Sequence, residues 1–182
     1  GPVRAVIHSE TADGAWALRW HIYPRRATMT LLRKPDATPY WLLYEGTPGG
    51  RFDLDDAWVD SAGVKRLARP YTHDHMWQDQ TPDPRWIFWA DSRTDRSLLL
   101  IHHESEDVQD QFWHTGPGTM TVWGFGRGPR DRWRQLQRVP ARFTIALIET
   151  RDYDVARPRA AAILDPPRVE IDRPGATSTQ PK

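Results

Sequence analysis

The chain has 182 residues, room for one domain with a sizeable core but not for two full ones. Ten tryptophans, five tyrosines and five phenylalanines exclude a disordered chain, and 25 basic against 24 acidic residues leave a net charge of +1, which excludes a general polyanion binder. No run approaches the roughly 18 consecutive apolar residues of a membrane-spanning helix, and the absence of cysteine excludes disulfides, thiolate catalysis and cysteine-ligated metals.

Strand signals recur along the chain. Trp16, Leu18, Trp20 and Ile22 alternate with Ala17, Arg19, His21 and Tyr23, the period of a strand with one buried face, and Pro24 ends it. Residues 27–32 (ATMTLL) are expected to pair back on it. Residues 40–44 (YWLLY) read as a core strand closed by the turn Thr47-Pro48-Gly49-Gly50. Residues 57–59 and 64–67 flank a hairpin-like break at Asp60-Ser61-Ala62-Gly63. Residues 85–90 (RWIFWA) and 97–103 (SLLLIHH) are joined by a polar connector, and residues 119–125 and 142–148 complete the set.

Two short helices are expected. One starts near Pro129, carries Trp133 and Leu136 on one side and stops before Pro140; the other, capped by Asp152 or Asp154, runs through Ala160–Ala162 to Ile163 and ends at Pro166-Pro167. Many short strands with turns between them, rather than alternating β-α units, predict an all-β fold, an antiparallel two-sheet β-sandwich of jelly-roll or concanavalin-like kind. A single domain is expected over residues 1–173, with 174–182 (PGATSTQPK) as a disordered tail. Gly1-Pro2 reads as the remnant of a cleaved tag, and no signal peptide is visible.

The chemistry-bearing residues fall in groups. His73-x-His75, with Asp79 nearby, and His103-Glu104 supply a possible imidazole and carboxylate ligand set for zinc, iron or nickel, as in a cupin-like metal enzyme. The alternative is loop histidines bonded to neighbours or solvent. Asp53, Asp55 and Asp56 (DLDD) offer hard oxygens at the density calcium favours, the alternative being an acidic hairpin end facing water. Glu104 and Glu106, if on one strand, would stand about 7 Å apart on one face, the spacing of a glycosidase acid/base pair. A lyase would instead use His73, His103 or a tyrosine as base. Trp41, Trp86, Trp89 and Trp123 sit inside apolar strands and read as core. Trp58, Trp77, Trp113 and Trp133 lie among polar residues, the half-wet setting that suits an indole stacked on a sugar ring. Arg127, Arg130, Arg132, Arg134, Arg138 and Arg142 form a basic stretch, and Glu104, Glu106, Asp107 and Asp110 an acidic one. The two are expected to pair with each other or with a partner subunit.

The run at residues 40–50 (YWLLYEGTPGG), Phe52-Asp53 and residues 121–127 (TVWGFGR) resembles stretches of uncharacterised bacterial, secreted multidomain proteins, and in general character the chain is similar to β-sandwich domains of carbohydrate-active enzymes. That resemblance implies a secreted or periplasmic location, with the cytoplasm as the alternative. It also implies a polysaccharide or oligosaccharide partner, bound by a recognition module or by part of a glycoside hydrolase or polysaccharide lyase. The site is then expected at Trp77, Trp113, His75, His114 and Arg127, with Glu104, His103 and His73 as catalytic candidates. The competing expectation is a structural module whose aromatic surface packs on a neighbouring domain or in a homo-oligomer. Near-zero charge and the lack of a recognition motif argue against nucleic acid.

Overall fold

The computed structural model describes residues 4–46, 51–91, 93–128 and 135–166. The chain opens with an antiparallel meander of β1 (Ala5–Glu10), β2 (Ala17–Tyr23) and β3 (Arg26–Arg33). Asp13 shapes the first turn: its carboxylate accepts from Thr11 Oγ1 at 2.6 Å and from Ala15 N at 3.0 Å. Gly14 follows at φ +68°, a conformation a side chain would strain. After β4 (Leu42–Gly46) come the short hairpin β5 (Ala57–Asp60) and β6 (Lys65–Leu67), then β7 (Trp77–Asp79), β8 (Trp86–Ala90), β9 (Ser97–His102), β10 (Asp110–His114), β11 (Thr121–Phe125) and β12 (Ala141–Ile148). Helix α1 (Tyr153–Leu164) closes the described chain, with the Asp152 carboxylate accepting from Asp154 N at 2.7 Å as its N-cap.

These strands make two antiparallel sheets, so the fold is an all-β two-sheet sandwich. The larger runs β1-β2-β3-β12-β9-β8-β5-β6 and the smaller β4-β11-β10-β7. Strand alternation decides what lies between them. Trp58, Ile87, Trp89, Leu100 and Phe143 come from the large sheet; Trp77, Phe112, Trp123 and Phe125 come from the small one. The indoles interlock: Trp58 meets Trp77 and Trp123 edge-on, with ring centroids 4.7 and 5.0 Å apart, and Trp77 stacks on Trp123 at 5.4 Å. Residues of the opposite parity, including Val59, Trp86, Phe88, Leu99 and Ile101, form a second apolar layer that Ala156 and Ala160 of α1 cover.

The pairing of residues 85–90 with 97–103, and of 57–59 with 64–67, follows the sequence expectation. Helix α1 does too. Three strands lay outside that expectation. β1 is exposed along its whole length and has no buried face to leave a periodic signature. β7 is only three residues long. β10 (DQFWH) buries Asp110, Gln111 and His114, polar residues that disguise a strand as a loop. Of the helix expected near Pro129, residues 129–134, Trp133 among them, lie outside the described residues. Its expected C-terminal part is extended, and Leu136 bridges Tyr40. The tail from 174 likewise lies outside them.

Three tryptophan expectations are corrected, those for Trp58, Trp41 and Trp77; Trp77, expected half-wet, is buried and stacked on Trp123. Trp58 is wholly buried rather than half-wet, because its acidic neighbours are internally satisfied. Asp60 Oδ1 accepts from Ala62 N and Val64 N, both at 3.0 Å, and Oδ2 meets Arg66 Nη1 at 2.6 Å. The Arg66 guanidinium then lies 4.7 Å over the Trp58 ring. Trp41 is 46% exposed rather than core: it precedes β4, and Tyr40 takes the inward place beside Leu136.

Candidate functional site

Three arrangements bear on function, the first being the outward face of the small sheet. Phe112 points into the core, so its neighbours Gln111 and Trp113 belong to the opposite face. Register sets Trp113 beside Val122 and Val122 beside Glu45; one step along, Gln78, Gln111, Gly124 and Leu43 form a second row. The stem of Arg127 passes over Gly124, where a Cβ would fall 2.7 Å from the arginine's own Cβ. Trp113 is partly exposed, and His73 meets its ring edge-on, with centroids 5.1 Å apart and planes at 87°. His73 is thus in ring contact with this indole, while Glu45 and Gln78 lie farther along the same face and Val122 and Gln111 beside it are buried, 1% and 5% exposed. His73 is largely exposed, with Nδ1 3.4 Å from Asp74 Oδ1, and His75 is exposed two residues on.

The other candidate residues are placed elsewhere. Trp77 belongs to the inner stack with Trp123 and is 9% exposed. His114 is buried with its ring 4.6 Å from Phe52; Nδ1 accepts from Gly116 N, and Nε2 lies 3.3 Å from Arg69 O. That pattern assigns its proton to Nε2. His103 Nε2 is 2.8 Å from Thr144 Oγ1, which is 2.8 Å from Thr28 Oγ1. Burial, reinforced by Arg142, pushes the His103 imidazole down to about 4. Thr144 neighbours the inward-facing Phe143 and so lies on the outward face of the large sheet. His103 and His73 are therefore separated by both layers of the sandwich.

Glu104 and Glu106 are not on a strand, and each is committed to the approach to β12. Glu104 accepts from Arg142 N at 2.5 Å and pairs with Arg142 Nε at 2.8 Å; Glu106 accepts from Gln137 N at 2.9 Å. In these contacts the acidic and basic stretches do join each other. Trp113, partly exposed, and His73, exposed, are thus the pair of candidate residues that the fold brings together.

The second arrangement is a carboxylate cluster. Asp53, Asp56 and Asp91 each present an oxygen within 4.8 Å of the others. Asp53 and Asp56 are legible as DLDD, but Asp55 turns away to Arg69 Nη2 at 3.0 Å. Asp91 has no motif of its own. It enters through register: Ala57 pairs with Ala90, so Asp56 and Asp91 are the next cross-strand neighbours. Burial, with Asp91 and Asp53 close by, raises the Asp56 carboxyl to about 6.

The third is sealed between the sheets. Arg85, His102 and Asp110 are each no more than 1% exposed. Arg85 Nη2 donates to Val108 O at 3.0 Å, and Nη1 lies 3.9 Å from Asp110 Oδ1. Asp110 accepts from Gly126 N at 2.9 Å and Thr81 N at 3.3 Å, yet burial outweighs these and lifts it to about 6. Burial, then Arg85, drives the His102 imidazole down to about 3.

Among the described residues no helix is long and apolar enough to cross a membrane. A scan of protein families finds no matching model, and neither the curated proteins nor the solved structures contain a match to this chain.

Proposed function

We propose that the chain is a carbohydrate-recognising β-sandwich whose ligand face is the outward face of the small sheet. The observation that supports this is the Trp113–His73 pair beside a row that ends at Glu45, with Gln78 at its border. A partly exposed indole offers its flat face to the axial C–H groups of a sugar, while amides and carboxylates bond the hydroxyls. Recognition rather than cleavage fits the commitment of Glu104 and Glu106 to backbone amides. A protein of this kind works outside the cytoplasm, where polysaccharides are met.

The test is a panel of neutral and acidic polysaccharides, read by intrinsic tryptophan fluorescence and by product analysis. A ligand that shifts the emission, with at least tenfold weaker binding in Trp113→Ala and unchanged binding in Trp41→Ala, supports the reading. Silence across the panel overturns it.

A second reading, a packing module, draws on a different surface. Beyond the small sheet's β4 edge, the inward face of β1–β3 leaves an apolar groove of about 180 Å³ between the sheets, lined by Trp20, Met29, Leu42, Tyr44, Phe143 and Ile145. Ile7, on the adjoining strand, is 47% exposed. A homo-oligomer or neighbouring domain seated there would hold its affinity in a Trp20→Ser comparison only if the groove were not the contact. Sedimentation measures this directly.

A further inference from the structure

The carboxylate cluster at the junction of β5 and β8 is over-supplied with negative charge, and its hydrogen bonds leave specific atoms over. Asp56 uses Oδ2 to accept from Asp53 N at 2.8 Å, and Asp91 uses Oδ1 to accept from Arg93 N at 2.7 Å. Asp56 is 1% exposed and Asp91 2%. Among the described residues their remaining oxygens, Asp56 Oδ1 and Asp91 Oδ2, are buried with no hydrogen-bond partner. Two such atoms side by side are costly, because a buried carboxylate needs a counter-charge or a donor.

The arginines nearby answer only part of this demand. Arg93 Nη2 lies 2.5 Å from Asp53 Oδ2, and its Nε is 3.6 Å from Asp91 Oδ1. Arg51 reaches Asp53 Oδ1 at 3.7 Å from a side chain that is 63% exposed. Both guanidinium groups face Asp53 or the already bonded oxygen of Asp91. A third arginine, Arg151, donates from Nη1 to the Asp91 backbone carbonyl at 3.4 Å, and among the described residues neither orphaned oxygen has a hydrogen-bond partner.

Geometry then selects the ligand. Oxygens that share a calcium ion at about 2.3–2.6 Å lie no more than about 5 Å apart, and these three carboxylates fall within 4.8 Å of one another. The donor set is all oxygen, which suits a hard cation and gives no imidazole or thiolate to hold zinc or copper. We propose that Asp53, Asp56 and Asp91 form a divalent-cation site, with calcium as the ion, clamping the loop before β5 to the end of β8. The loop it holds is also fixed elsewhere: Phe52 O accepts from Gly118 N at 2.8 Å, and the Phe52 ring rests on His114. Calcium binding therefore tightens the end of the sandwich where β10 turns into β11, independently of whether the small sheet binds sugar.

The experiment is calorimetric titration of the chelator-treated protein with calcium chloride, magnesium chloride and terbium chloride, alongside thermal unfolding in each ion. One calcium or terbium per chain, with unfolding raised by several degrees (about 5 °C) and magnesium much weaker, is expected. Asp91→Asn should weaken calcium binding at least tenfold, while Asp55→Asn, outside the cluster, leaves it unchanged. Absence of both heat and thermal shift in the folded wild-type chain at millimolar calcium overturns the proposal, and so does binding that survives Asp91→Asn. If Asp91→Asn does not fold, the wild-type stoichiometry and the Asp55→Asn control decide.

Discussion

Arg85 has no exposed side-chain surface, and its charge is met by Asp110 at 3.9 Å and Asp83 at 3.8 Å, distances too long for strong hydrogen bonds. Among the described residues its Nε and Nη1 have no hydrogen-bond partner, which makes the group costly to keep and costlier to break. Arg85→Met alone is expected to lose about 3–5 kcal/mol, because Asp110 is left as an uncompensated buried carboxylate. Adding Asp110→Asn should recover much of that loss, and a double-mutant cycle by urea unfolding measures the coupling. The same residues set the pH response. His102 and His103 are held neutral in the fold, to about 3 and about 4. The unfolded chain therefore takes up their protons first, and the stability they contribute, complete above pH 6.5, falls as pH drops towards those values. Asp110 acts in the opposite sense. Its raised value means that the folded chain binds a proton first, so stability falls as pH rises from about 4 to about 6. Asp56, likewise raised to about 6, acts with Asp110; the larger displacements of the two histidines outweigh those of the two carboxylates, so the midpoint should decline below pH 6.5. In His102→Leu the decline should be shallower, as unfolding midpoints at pH 4.5 and 7 would reveal.

At the scale of elements, the large sheet has unequal halves. β8 and β9 are covered on both faces, by the small sheet and by α1, β5 is wholly buried, and β12 contributes to both apolar layers while leaving Arg142 and Leu147 exposed. β1 is exposed throughout, and β2 is only half-buried along its length. Backbone amides of β1 are therefore expected to exchange hydrogen well before those of β9, which native-state exchange resolves. Helix α1 is held mainly by Ala156 and Ala160, its two fully buried positions. Ala160→Leu should cost about 1–3 kcal/mol by overpacking against the second apolar layer. Asp152→Ala should cost about 1 kcal/mol through loss of the cap.

What was legible in the sequence divides along the same lines. The apolar runs of β8 and β9, bounded by a polar connector, declare themselves, as does the Asp152 cap. β10 does not, because Asp110 and His114 are polar residues made inward-facing by partners distant in sequence, Gly126 N and Arg69 O. Trp58 and Trp41 exchange their expected settings for a similar reason. Local composition records the neighbours of a residue, not the hydrogen bonds that neutralise them. The cation cluster was half visible. Asp53 and Asp56 are close in the chain, but Asp91 joins them only through the β5–β8 register.

The molecule as a whole rests on the interlocked indoles at the sheet interface. Trp123 touches Trp58, Trp77, Phe112 and Phe125 and has no exposed surface. Trp123→Ala should cost at least 3–5 kcal/mol, roughly the loss for a buried aromatic in a site that cannot collapse. Trp113→Ala, on the outward face, should cost far less, which separates the two indoles by role. Thermal unfolding of both variants supplies the comparison.

The strand order carries a consequence for how the chain comes to be made. β12 lies between β3 and β9, so it alone joins the N-terminal meander to the rest of the large sheet, and it is the last strand of the described chain. During synthesis the ribosome delivers eleven strands before the one that unites them. Until residue 148 emerges, β3, with Met29, Leu31 and Leu32, and β9, with Leu98, Leu99, Leu100 and Ile101, are both open edges, able to capture each other or another nascent chain. A chain halted at residue 140 should therefore self-associate more strongly than the full chain, as sedimentation of the two would show.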